Sequence, residues 1–217
     1  MIIDLLFPDR CVGCNRIINS TEIICPLCYS HLHLTHWDFT KSNELKEKCL
    51  PLFPVENAFG LMHFTQNSLS RKIIHELKYK KREKIGQFLA QLTTHYLNFK
   101  DKKPDLLVSV PLHTRKEKER GYNQLHAFTE YLSGHYGIPF NHYILKRNAY
   151  KTAQALKDKS ERKSTDSLFS LTQNIENQHI LLIDDVFTTG NTLSSIAWEF
   201  LKKGNNKISI LVMAVDE

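Results

Sequence analysis

The stretch Ile180-Leu-Leu-Ile-Asp-Asp-Val-Phe-Thr-Thr-Gly-Asn-Thr192 decides the fold. Ile180 to Ile183 is a short apolar run of the kind buried on both faces of a parallel sheet. Asp184 and Asp185 follow, at the expected carboxyl end of that strand. The next residues hold three threonines, Thr188, Thr189 and Thr192, and one glycine, Gly190. From Leu193 to Lys203 the apolar residues recur at helical spacing. Strand, acid pair, hydroxyl loop and helix outline a phosphosugar site. The loop amides and the helix N-terminus can hold a phosphate. The threonines add hydroxyl donors, and Gly190 lets the backbone approach closely or adopt positive φ. The two acids can accept hydrogen bonds from a sugar diol and help hold Mg²⁺.

The position of this stretch excludes other phosphate-handling folds. A receiver domain carries its acidic pair near its start, whereas here only one helix and one strand, Lys207 to Val215, follow the acids. The chain contains neither Gly-x-x-x-x-Gly-Lys nor Gly-x-Gly-x-x-Gly, so P-loop and dinucleotide folds have no support.

Upstream, Ala58 to Phe64 reads as an entering strand. Leu69 to Lys80 reads as a helix with Ile73, Ile74 and Leu77 on one face, and a second helix spans about Glu83 to Asn98. The junction of the two helices is strongly basic: Lys78, Lys80, Lys81, Arg82 and Lys84 against Glu83. This segment is a candidate nucleic-acid contact, with Tyr79 able to stack on a base; a solvated helix end is the alternative. Leu106 to Val110 is a further buried strand, running into the basic loop Pro111 to Gln124. Ligands of open α/β sheets bind at the carboxyl ends of strands. The loop, with Arg115, Lys116, Lys118 and Arg120, is therefore expected to face the same crevice as the acids and to neutralise a pyrophosphate.

The N-terminal region has its own chemistry. Cys11-x-x-Cys14 and Cys25-x-x-Cys28 are tight pairs separated by ten residues, with Gly13 and Pro26 supplying turn character. Such pairs close a tetrahedral thiolate site, for which zinc is the first expectation; an iron–sulfur cluster and a redox dithiol pair are the alternatives. With so few residues between ligands, the metal would supply much of the folding energy. Cys49 stands alone, and His31, His33 and His36 are expected outside the metal shell, because four cysteines already complete it. The stretch from about residue 36 to 57, with Pro51 and Pro54, reads as a connector. The expected division is a zinc-ribbon-like module with connector at 1–57 and an α/β domain at 58–217.

Bulk properties agree with an anion-binding globular protein. The chain has 217 residues, 41% hydrophobic and 24% charged, with net charge +6 and pI about 9.0. No apolar run approaches the ~20 residues of a membrane helix. The opening MIIDLLFPDR carries an acid and no basic n-region, so a cytoplasmic location is expected.

The acid–threonine stretch resembles the phosphoribosyltransferase fingerprint at Asp184, Asp185, Thr188, Thr189, Gly190 and Thr192. In that family the acids contact the ribose hydroxyls of phosphoribosyl pyrophosphate and the loop binds its 5′-phosphate. Val110-Pro-Leu-His113 with the basic run to Arg120-Gly-Tyr-Asn-Gln124, and Leu77-Lys-Tyr79 with the basic residues after it, resemble the ComF family of bacterial competence proteins. The four-cysteine module ahead of such a domain extends the resemblance over nearly the whole chain. Pro111, Leu112, Arg115 and Arg120 then fall in the pyrophosphate loop. Arg147, Thr152, Gln154 and Arg162 fit the order of a mobile loop found in ComF proteins and in glutamine amidophosphoribosyltransferases. The chain departs from the family in having Ser164 and Thr165 where an Asn is usual, and Thr114 where a Pro is common.

The resemblance implies a mainly parallel sheet flanked by helices behind a zinc module, structural Zn²⁺, and Mg²⁺ with phosphoribosyl pyrophosphate. It further implies a role in natural transformation, acting on internalised single-stranded DNA, with other competence proteins such as a DNA translocase as partners. A non-catalytic binding or scaffold role and a small-molecule phosphoribosyltransferase are the alternatives. No residue identifies the acceptor, and His113 is the one loop histidine near the expected site.

Overall fold

A computed structural model of the chain describes residues 8–79, 83–112, 119–148 and 168–216. Its centre is a four-stranded sheet of β1 (Ala58–Phe64), β2 (Leu106–Ser109), β5 (His179–Phe187) and β6 (Lys207–Asp216). The order is β1-β6-β5-β2, with every pairing parallel. Ile180–Ile183 and Ile208–Val215 are buried almost without exception, as the two inner strands of a parallel sheet require.

Parallel neighbours need a crossover, and α6 (Asn191–Leu201) supplies it between β5 and β6. Its buried face is Leu193, Ile196, Ala197 and Phe200. Two further helices, α3 (Leu69–Tyr79) and α4 (Glu83–Tyr96), follow β1. In α3 the buried positions include Ile73, Ile74 and Leu77, the face read from the periodicity.

Three differences from the sequence reading have physical causes. First, β5 does not stop at the acids: Asp184 pairs with Val212, Val186 with Ala214 and Phe187 with Val215. The ladder continues because Val186 and Phe187 keep apolar partners on β6. Second, α5 (His126–Tyr136) was not legible: its segment is rich in aromatics and contains Gly134, so its apolar stripe is weak. Gly137 at φ 61° caps it. Third, β3 (Leu145–Arg147) and β4 (Phe169–Leu171) pair as a small antiparallel sheet, each strand too short to show a period.

The N-terminal region carries two short helices, α1 (Pro26–Tyr29) and α2 (Glu44–Cys49), the latter inside the expected connector. Asn43 caps α2 by accepting from the Lys46 N–H at 3.0 Å. The segment before it lies along the outer edge of β1: Thr35 N–H donates to Leu61 O at 3.1 Å and His63 N–H to His33 O at 2.9 Å. Those bonds cover an otherwise open sheet edge. Cys11, Ile23 and Ile24 belong to the same buried cluster as Phe59 and Ile73, and Cys49 is fully buried. No helix among the described residues is long and apolar enough to cross a membrane.

Candidate functional site

The carboxyl ends of β2 and β5 open into a crevice of about 260 Å³. It is lined by Asp184, Asp185, Thr188 and Thr192, by Pro111, Leu112 and Arg120, and by Lys78, Gln124 and Arg147. Residues expected in four separate segments thus meet in one place. Thr189 and Gly190 line the adjoining recess, together with Asp184, Thr188 and Thr192.

Gly190 is the turn that makes this recess. Its φ is +74°, and an added Cβ would meet Leu52 Cδ1 at 2.6 Å and the Phe187 ring at 2.9 Å. It is the N-cap of α6, and Ser194 N–H closes on its carbonyl at 2.8 Å. A helix start leaves its first amides unclaimed by the helix itself, with the positive end of the dipole beside them.

Asp185 is buried and doubly held: Lys78 Nζ lies 2.8 Å from Oδ1, and Gln124 Nε2 donates to Oδ2 at 2.5 Å. Gln124 Oε1 in turn accepts from Arg120 Nη1 at 2.9 Å. The Arg120 guanidinium lies 5.1 Å from the centre of the Tyr79 ring. The network therefore closes on itself through the consecutive residues Lys78 and Tyr79. Asn123 braces it from below, donating to Val110 O at 3.1 Å and accepting from Leu125 N–H at 3.0 Å.

Asp184 differs from its neighbour. Burial, then the adjacent negative charge of Asp185, push its carboxyl up to about 7; the Asp185 N–H, Lys78 and Arg147 pull the other way. The N–H of Asp185 donates to Asp184 Oδ1 at 2.8 Å. The three cations Lys78, Arg120 and Arg147 line the crevice beside the acid pair, so the crevice suits a polyanion.

Lys78, expected from its sequence neighbours to face DNA, lines the crevice. The signal is its place four residues after Ile74, on the sheet-facing side of α3. Gln124 carries no such signal, because a neutral side chain gains its role only from the partners on either side. Arg147, expected in the mobile loop, closes β3 with its guanidinium 5.3 Å from the centre of the Phe169 ring. Arg115, Thr152, Gln154 and Arg162 lie outside the described residues, as do Lys80, Lys81, Arg82 and His113.

The second cluster is formed by Cys11, Cys14, Cys25 and Cys28, whose sulfurs all lie within 4.8 Å of one another. A Cβ on Gly13 would stand 2.5 Å from Cys28 Sγ, so only glycine permits this knuckle. Burial pushes the Cys11 thiol up, but hydrogen bonds from the backbone of Cys14, Cys25 and Gly13 outweigh it and bring it down to about 6. Burial and the three other cysteines push Cys28 up to about 12. Four sulfurs sharing protons at this spacing fit a soft dication in tetrahedral geometry. His31 and His36 are engaged elsewhere, the first with Leu27 O at 2.7 Å and the second edge-on to Tyr96 at 5.2 Å. His33 meets His63 through its backbone.

Residues 2–37 match the double zinc ribbon domain family and residues 132–217 the phosphoribosyl transferase domain family. The chain is 30% identical over 207 residues to competence protein ComFC of Bacillus subtilis, covering 92% of this chain and 82% of that protein. It is 27% identical over 206 residues to DNA utilization protein YhgH of Escherichia coli K12, covering 92% of this chain and 87% of that one. Among solved structures, glutamine phosphoribosylpyrophosphate amidotransferase of B. subtilis is similar at 18% identity, with a TM-score of 0.40, covering 64% of this chain and 30% of that one.

Proposed function

Because the chain belongs to the ComF family of competence proteins, we propose that the crevice between β2 and β5 binds phosphoribosyl pyrophosphate with Mg²⁺. In this reading the protein serves DNA uptake by acting on or binding internalised single-stranded DNA in the cytoplasm. The observation that carries the reading is the meeting of the acid pair, the Thr–Gly recess and three cations in one crevice. A sugar bearing a phosphate at one end and a pyrophosphate at the other needs these three features.

Each residue has a role set by its chemistry. Asp184 and Asp185 accept from the ribose hydroxyls. Thr188, Thr189, Thr192 and the N-terminus of α6 hold the 5′-phosphate. Arg120, Arg147 and Lys78 face the pyrophosphate, with Arg115 of the same basic loop completing the set. Carboxylate oxygens beside phosphate sites are hard donors that fit Mg²⁺, which when bound neutralises charge building on the departing pyrophosphate. The Arg120–Gln124–Asp185–Lys78 network fixes these side chains before substrate arrives, so little orientational freedom remains to be lost. Thr152, Gln154 and Arg162 are assigned to a segment that covers the substrate and excludes water. The four cysteines hold a structural Zn²⁺ in a module of residues 1–57, ahead of the phosphoribosyl domain at 58–217. Lys80, Lys81 and Arg82 supply phosphate contacts to the strand.

Calorimetry tests the site. Asp184→Asn with Asp185→Asn should weaken phosphoribosyl pyrophosphate binding by more than about tenfold while the circular dichroism spectrum is kept. Unchanged affinity refutes the assignment. Pyrophosphate release on mixing protein, phosphoribosyl pyrophosphate, Mg²⁺ and single-stranded DNA separates a transferase from a binding protein.

A further inference from the structure

A second recess of about 390 Å³ lies beside the crevice, and Gln124 lines both. Tyr122, His126 and Tyr143 form its aromatic walls, while Asn123 and Glu130 supply polar ones. Behind them the His126 and His142 rings stack with centres 3.8 Å apart and an interplanar angle of 14°. Phe140 packs 4.7 Å from His142, and Tyr143, 79% exposed, stands edge-on at 6.4 Å from His126.

This stack is held rigidly. His142 Nδ1 is 2.8 Å from Ser109 Oγ and Nε2 is 3.2 Å from Glu130 Oε1. A carboxylate only accepts, so Nε2 carries the proton and Nδ1 of the neutral ring accepts from the Ser109 hydroxyl. Burial lowers the pKa of both imidazoles, that of His126 to about 4, so the stack is uncharged at neutral pH. The His126 ring nitrogens have no hydrogen-bond partner among the described residues. Glu130, with a side chain 53% exposed, keeps a second oxygen for an outside donor.

The described lining is aromatic and carboxylate rather than cationic, so it suits a flat polar ring better than a phosphate. An aliphatic group would leave His126 and Glu130 unmatched. A flat heteroaromatic ring bearing an amine satisfies all three walls. We infer that this recess binds a nucleobase, packed against His126 and Tyr143 with its exocyclic amine donating to Glu130. The inference rests on the proposed function only for the molecule that carries the base, which is either a free nucleoside or an unpaired nucleotide of a single strand.

Calorimetry on the full chain with guanosine, cytidine and thymidine tests it, with phosphoribosyl pyrophosphate titrated in parallel. Guanosine and cytidine should bind saturably and thymidine, which lacks the amine, more weakly. Tyr143→Ala should weaken guanosine about tenfold, Tyr143→Phe should restore it, and both should leave phosphoribosyl pyrophosphate affinity unchanged. Glu130→Ala should erase the preference over thymidine. A short oligonucleotide that binds more tightly than the nucleosides, and is weakened equally by Tyr143→Ala, identifies a strand as the source; equal affinities identify a free nucleoside. Absence of saturable binding by any nucleoside, or indifference to Tyr143→Ala, overturns the inference. Neither result touches the crevice assignment, which fails only if the Asp184/Asp185 variant binds phosphoribosyl pyrophosphate normally.

Discussion

Asp184 and Gly190 carry the sharpest consequences of single residues. The folded pKa of Asp184, about 7, lies above its ordinary 3.8. The native state therefore holds the proton more tightly than the unfolded chain. Its stabilising contribution is fully present below about pH 3.8 and is lost as pH rises through about 7. Asp184→Asn should then leave the melting temperature nearly unchanged at pH 4 and raise it at pH 8. We expect a gain of ~1–2 kcal/mol at pH 8, reduced from the full shift because the crevice is open to water; scanning calorimetry of the ligand-free protein at both pH values reads it. The same substitution should remove Mg²⁺-dependent phosphoribosyl pyrophosphate binding, and parent affinity should rise with pH as the carboxyl ionises. Gly190→Ala forces an L side chain into positive φ against Leu52 and Phe187. It should cost ~1–3 kcal/mol in urea unfolding and weaken binding at the proposed 5′-phosphate recess.

Among elements, the four-cysteine module and the β5–α6 turn depend on different forces. The module has few buried side chains of its own, so its order rests on the sulfur cluster and on its seat against β1. Native mass spectrometry should find one zinc per chain, released by Cys25→Ser and by strong chelators. Zinc affinity should rise with pH, because thiols must lose their protons to bind and burial with the neighbouring cysteines pushes Cys28 up to about 12. The β5–α6 turn is instead held by packing. Leu52 of the N-terminal region packs on the Gly190 turn and accepts from Trp198 Nε1 at 3.0 Å. Trp198 is 42% exposed, so its fluorescence should report occupancy of the proposed phosphate recess.

At the scale of the whole molecule, charge should govern the encounter with DNA. The net charge of +6 and the basic segments 78–84 and 115–120 predict salt-sensitive single-strand binding. Replacing Lys80, Lys81 and Arg82 with Ala removes three charges outside the pyrophosphate loop and leaves the crevice residue Lys78 in place. The slope of log affinity against log salt should flatten by about 2, at ~0.7 for each phosphate that is no longer neutralised. Fluorescence anisotropy at several salt concentrations measures it, and phosphoribosyl pyrophosphate affinity should be spared. An unchanged slope would assign these charges to solubility alone.

The chain's local order was legible in its letters where one short stretch carries its own physics. Ile180–Thr192 spells a buried strand, an acid pair and a threonine–glycine turn in sequence, and Cys11–Cys28 spells a thiolate site by spacing alone. The helix face of Ile73, Ile74 and Leu77 followed from period. Meetings between distant segments were not legible, because no local pattern encodes them. Only the parallel pairing of β2 with β5 brings Arg120 and Gln124 to Asp185, and only the packing of α3 turns Lys78 away from solvent and onto the same carboxylate. The His126–His142 stack joins a helix to a segment that runs alongside β2, across a separation that sequence periodicity does not span. Local covalent order thus determined which chemistry the chain carries. Long-range burial decided which side chains share it, because side chains far apart in sequence meet only once the sheet has formed.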